Sequence, residues 1–283
     1  MRIALCLHGY FANAGGSEAS RNGFEYIKSK LLSKYDVDVF IHSWDLPNKD
    51  LALSLYSPQD YVFEKQYSFE EELLNFKEWW FLEGQKNPPG MYATNTIYRG
   101  LSFLFSRKRA VEIKKKFEED NGFLYDCVIL ARFDLGQRGK EFPQEYYVTN
   151  IDFSDELDME YLYSAFWNQL NHGFADHWFY SNSKNMDLVS LLYDKACEYY
   201  DTNSSYVKAV LEGWPDSNKN NEFSNEITKE NKCTDLITFP KWGCIDNHKL
   251  YKWYFMDSGL YNKCRFVDIT REDNEETNNI MYV

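Results

Sequence analysis

The chain has 283 residues, 44% of them hydrophobic and 27% charged, enough to bury a sizeable core without disulfide or metal staples. Forty-four acidic residues against thirty-one basic ones leave a formal charge of −13, a field that repels nucleic acid and anionic membrane surfaces. No apolar run approaches the roughly 20 residues that span a bilayer. The six cysteines are scattered with no C-x-x-C pair, which argues against structural zinc and suits reduced thiols in a cytoplasmic protein.

In chain order, Ile3 to Leu7 is an apolar run too short for a signal peptide, and it ends at His8-Gly9. A loop from Gly9 to Ser17 follows. Apolar residues then recur at helical spacing (Phe24, Ile27, Leu31, Leu32) as far as Tyr35, and Asp36 to Ile41 reads as a β-branched strand. Strand, loop, helix, strand predicts a parallel unit with a ligand crevice at the carboxyl ends of its strands.

Ser68 predicts a helix start, with Glu71 as capping-box partner, running to Trp79-Trp80 and broken at Asn87-Pro88-Pro89-Gly90. Thr94 to Glu119 reads as one long helix or two, with Lys114, Lys115 and Lys116 near its end as the macrodipole favours. Tyr125 to Ala131 is a strand buried on both faces, closed by Arg132-Phe133-Asp134. Ala175 to Tyr180 is a second apolar stretch carrying Asp176, followed by a helix from Lys184 to Tyr200. The remainder reads as short elements and polar loops. The pattern predicts an α/β fold with a mixed, mostly parallel central sheet flanked by helices.

Arg132 and Asp134 carry the strongest chemical signal, because a charged pair at the carboxyl end of a buried strand sits where open α/β sheets bind ligands. Such a carboxylate can hold a hard divalent cation, and the guanidinium fork matches phosphate oxygens; a plain ion pair is the bland reading. No G-x-S-x-G elbow accompanies His8-Gly9, and the first loop has neither G-x-G-x-x-G nor a Gly-Lys-Ser/Thr run, which argues against hydrolase, dinucleotide and P-loop readings. Asp36-Val37-Asp38 is a formal D-x-D at the wrong end of its strand and reads as structural. Asp176 among Phe174, Trp178 and Phe179 predicts a desolvated carboxyl with a raised pKa, fit for a general base, and Trp178 a ring to stack on a sugar. Glu222, opening a predicted helix from Asn221 to Glu230, is either a second acid or a cap.

Several segments together resemble the WavE-like lipopolysaccharide and capsular polysaccharide glycosyltransferases: Ile3 to Gly9 (IALCLHG), Asp38 to Trp44 (DVFIHSW) and Tyr125 to Leu135 (YDCVILARFDL), with Ala175 to Ser181 and Asn221-Glu222-Phe223 as later, weaker matches. The resemblance implies a GT-A-like fold over a single domain 1–283, in which 1–135 forms the nucleotide-sugar half and 136–283 the acceptor half. It implies transfer from a nucleotide-sugar donor to a saccharide acceptor hydroxyl. By position, His8, Gly9, His42, Arg132 and Trp178 would bind substrate, Asp134 would hold a divalent cation (Mn2+ or Mg2+), and Asp176 would be the catalytic base, with Glu222 in reserve. A single Asp134 stands where better known GT-A enzymes carry a paired D-x-D. Two other classes compete: a carbohydrate- or nucleotide-binding module without catalysis, and a Rossmann-like methyltransferase using Asp45 to hold a ribose.

Overall fold

Three apolar runs make the centre of the molecule. In the computed structural model, which describes residues 1–12, 16–75, 93–136, 150–165, 173–212 and 247–267, they are β1 (Ile3–Gly9), β2 (Val37–Ser43) and β4 (Cys127–Arg132). β1 lies between the other two and runs parallel to both, so that Leu5 faces Val39 on one side and Ile129 on the other. The sheet is completed by β3 (Asp60–Phe63), β5 (Leu162–Ala165), β6 (Trp178–Ser181) and β7 (Cys264–Val267), in the order β3-β2-β1-β4-β6-β5-β7. β6 runs against both of its neighbours, and every other pair is parallel. The expected mixed, mostly parallel sheet flanked by helices is what forms.

Alternation along the strands divides the core into two layers. Ala4, Cys6, Phe40, Val128 and Leu130 pack on one face with Ile97, Leu101 and Leu104 of a long helix. Leu5, Leu7, Val39, Ile41, Ile129 and Ala131 pack on the other with Phe24 and Ile27. Strands apolar on both sides are buried on both sides. Burial pushes the Cys6 thiol up to about 12. Cys6, Cys127 and Cys264 are buried, and Cys197 is exposed.

The helices are α1 (Gly16–Ile27), α2 (Lys49–Tyr56), α3 (Glu70–Leu74), α4 (Ala93–Asn121), α5 (Ser183–Ser190), α6 (Leu192–Tyr200), α7 (Ser205–Glu212) and α8 (Asn247–Asp257). Several depart from the sequence reading. α1 ends at Ile27 and continues as a π-helical turn, Lys28–Leu32, that keeps Leu31 buried. The Ser68–Glu71 capping box does not form. α3 starts after Phe69, which takes a left-handed φ of 53° and makes no side-chain cap. Phe69 is fully buried against Tyr98 and Phe105, so packing of one ring, not a hydroxyl cap, fixes the helix start. The continuation to Trp79-Trp80, the break at Asn87 to Gly90, Cys233, Cys244 and the Asn221 helix lie outside the described residues. Lys184 to Tyr200 is two helices, the first capped by the Asn182 side chain accepting from the Asn185 amide at 2.9 Å.

The lysines near the end of α4 also divide. Lys114 turns inward, where its Nζ donates to Glu118 Oε2 (2.9 Å), Asp187 Oδ1 (2.8 Å) and Ser183 Oγ (2.6 Å). Glu118 in turn accepts from the Tyr125 amide at 2.8 Å, tying α4 to the start of β4. Asp38 is structural, as read: it accepts from the Tyr125 hydroxyl at 2.6 Å and from Gln59 Nε2 at 2.8 Å.

Candidate functional site

The alternation that buries Phe40, Cys6 and Leu130 brings His42, His8 and Arg132 to the same face two residues later. These three stand in one register row across the carboxyl ends of β2, β1 and β4. Against this row lies the middle of α4, with Ser106 and Arg107. Gly9 turns the chain out of β1 with φ +96°, a conformation that favours glycine, and a Cβ there would meet open space.

His42 is fully buried and its ring is committed on both sides. Nε2 lies 3.0 Å from Glu64 Oε1 and Nδ1 lies 2.7 Å from Ser106 Oγ, which also accepts from the Gly9 amide at 2.8 Å. The carboxylate can only accept, so Nε2 carries the proton and Nδ1 accepts from the serine hydroxyl. Burial outweighs the Glu64 contact and holds the His42 pKa down to about 4. His42 therefore fastens β2, β3 and α4 together, and it does not offer itself to substrate as the sequence suggested.

Arg107 is the centre of the site and was missed by the sequence reading. It is fully buried. Its Nε donates to His8 Nε2 at 2.9 Å, its Nη1 to the Tyr251 hydroxyl at 2.9 Å, and its Nη2 to the main-chain oxygen of Asp176. The guanidinium also lies 4.5 Å from the Phe103 ring centroid and 5.1 Å from that of Phe179. Within the sequence it is one basic residue in the run Arg107-Lys108-Arg109, and only the contact with β1 distinguishes it.

Asp176 is buried, with its side chain about 9% exposed and Oδ1 3.8 Å from His177 Nδ1. Here the expectation of a raised pKa is overturned. Burial alone would push the carboxyl up, but the charges of His248, His177, Arg132 and Arg107 outweigh it and hold the group down to about 2. His177 is itself held down to about 4 by burial and Arg132. The segment is placed by Gly173, whose φ is +85° and whose Cβ would come within 2.1 Å of the His248 carbonyl oxygen. Only a glycine lets α8 abut this strand lead-in, where the Phe174 amide donates to that carbonyl at 3.1 Å.

Trp178 is a second correction. It is 1% exposed, stacks on Tyr180 with ring centroids 5.5 Å apart, and donates its indole N–H to the Asn150 carbonyl at 3.0 Å. It packs in the core layer and presents no face to a sugar. The exposed rings beside the site are Tyr10, directly after Gly9, and Tyr67. The Tyr10 hydroxyl donates to Gln66 Oε1 at 2.9 Å, and Gln66 Nε2 donates to Ser102 Oγ of α4 at 2.8 Å.

Asp134 accepts both from Arg132 Nε, at 2.8 Å, and from Arg132 Nη2. The carboxylate is thus the counter-ion of Arg132, whose side chain is 31% exposed. Among the described residues no group of three His, Cys, Asp or Glu is placed to hold a metal ion, and an aspartate engaged on both oxygens by a guanidinium does not fit a divalent cation. Asp45, the acid a ribose-binding methyltransferase would need at the end of β2, accepts from the Ala12 amide at 2.8 Å and from Asn48 Nδ2 at 2.9 and 3.0 Å. It clamps the first loop. Glu222 lies outside the described residues.

No protein-family model matches the chain, and no curated protein matches it in sequence. Among solved structures the chain is similar to mouse xyloside xylosyltransferase 1 in its apo form, with a TM-score of 0.40 and 11% identity over 99% of this chain and 91% of that one. No helix among the described residues is long and apolar enough to cross a membrane.

Proposed function

We propose that the protein is a glycosyltransferase that moves a sugar from a nucleotide-sugar donor to a saccharide hydroxyl, of the kind its WavE-like, GT-A-like motifs imply. The observation that carries the reading is the juxtaposition, at the carboxyl edge of a parallel sheet, of a partly exposed guanidinium (Arg132), a buried carboxylate (Asp176) and exposed tyrosine rings (Tyr10, Tyr67). In the transfer, the acceptor oxygen bonds to the anomeric carbon, the bond from that carbon to the diphosphate oxygen breaks, and the hydroxyl proton passes by way of the Asp176 carboxylate to solvent. Arg132 stabilises charge on the departing diphosphate, with Asp134 fixing its fork. Asp176, ionised throughout the neutral range, accepts a hydrogen bond from the incoming hydroxyl and orients it. A carboxylate this weakly basic positions a proton better than it stores one, and Glu222 remains the reserve base. Tyr10 and Tyr67 offer the apolar faces that pyranose rings stack on.

Thermal midpoints in the presence of UDP-, GDP- and TDP-sugars, with and without Mn2+, test the reading. A rise with at least one donor in the wild-type chain, lost in Arg132→Ala, is expected. No rise with any donor, or an equal rise in the variant, would overturn it.

A further inference from the structure

We infer that the Nδ1–H of His8 donates a hydrogen bond to a phosphate oxygen of the bound ligand, beside the Arg132 guanidinium. The inference rests on the nucleotide-sugar reading above and assigns a donor to it. Arg107 fixes the state of the ring. A guanidinium cannot accept a hydrogen bond, so the Arg107 Nε–H pointing at His8 Nε2 at 2.9 Å requires the lone pair on Nε2. Burial, with the charges of Arg107 and Arg132 close by, holds the His8 pKa well below its ordinary value. In the resulting neutral ring the proton sits on Nδ1.

That nitrogen is fully enclosed, and no described residue accepts from it. An enclosed donor without an acceptor is costly, and one that persists calls for a partner or a function. Its neighbourhood says which partner. His8 is the register partner of Arg132 on the adjacent parallel strand, and alternation places both side chains on the α4 face. The second orphaned imidazole nitrogen here, His177 Nδ1, belongs to the residue whose carbonyl accepts from the Arg132 amide at 3.1 Å. His8 and His177 are thus the backbone neighbours of Arg132 on either side. A ligand oxygen between His8 and Arg132 meets a fixed N–H dipole on one side and a full positive charge on the other. An anionic oxygen gains from both, and a sugar hydroxyl gains much less from the charge.

Nitrogen-15 spectra of the histidine rings in the wild-type chain, assigned with His8→Gln, test this directly while UDP and pyrophosphate are titrated in the presence of EDTA. His8 is expected to carry its proton on Nδ1 in the free protein, and that resonance to move with both ligands. In His8→Phe, checked for folding by its thermal midpoint, UDP affinity should fall by about tenfold or more. A ring protonated on Nε2, or saturation with UDP that leaves the His8 Nδ1 unmoved, would overturn the inference while leaving the transferase reading in place. Failure of every nucleoside diphosphate and nucleotide-sugar to bind the wild-type chain would overturn both.

Discussion

At the scale of single residues, the site is governed by which groups are kept neutral. Burial holds His42 and His177 down to about 4, and His8 well below its ordinary value. The unfolded chain takes up these protons near pH 6.5, whereas the folded chain refuses them, so it binds fewer protons throughout the window between. Stability is therefore full above pH 6.5 and falls as pH drops towards 4. For His42 alone the loss is on the order of 3 kcal/mol. Urea midpoints recorded from pH 7.5 to 4.5 should decline below 6.5, less steeply in His42→Gln; a flat profile would contradict the buried, neutral assignment. Asp176 acts in a separate window, since a carboxyl held down to about 2 stabilises the fold above roughly pH 4 and loses that contribution only below it. The sequence showed Asp176 as an acid among aromatic residues but gave the wrong sign for its pKa. Its controlling cations come from elsewhere in the chain: Arg107 lies 69 residues away, and His248 lies on α8. Trp178 misled for a related reason, because an aromatic next to a charged residue looks the same in sequence whether it faces a ligand or the core.

Secondary-structure elements were most legible where the apolar pattern was strongest. The runs 3–7, 37–41 and 127–131 proved to be interior strands, the first and last apolar on both faces and 37–41 apolar but for Asp38, a pattern that suits a covered parallel sheet. α8 and β7 were not foreseen, since the hydrophobic residues of α8 face the core nearly all round and leave no amphipathic period to read. The end of α4 was legible as a helix but not as a joint. Lys114 is buried among Glu118, Asp187 and Ser183, so Lys114→Met should leave the buried Glu118 without its cation. The expected cost is about 3–5 kcal/mol, read as a lower denaturant midpoint, with donor binding at the opposite end of the sheet unchanged. Stability equal to wild type would show that the network is dispensable.

For the molecule as a whole, one sheet carries strands from both halves of the chain, and the candidate site forms where the strand lead-in at Asp176 and the N-terminal part of α8 meet the carboxyl edge of β1 and β4. On the proposed reading, a chain of net charge −13 that binds a diphosphate must gather its positive charge locally, and Arg107 and Arg132 are where this fold would gather it. The most direct test of that account is release of nucleoside diphosphate from a panel of UDP-, GDP- and TDP-sugars offered with saccharide acceptors, measured for the wild-type chain and for Arg132→Ala. The account predicts release from at least one donor by the wild type and a loss of about 10²-fold or more in the variant. Release that survives unchanged in a folded Arg132→Ala protein, or a wild-type chain inert towards every donor, would contradict it.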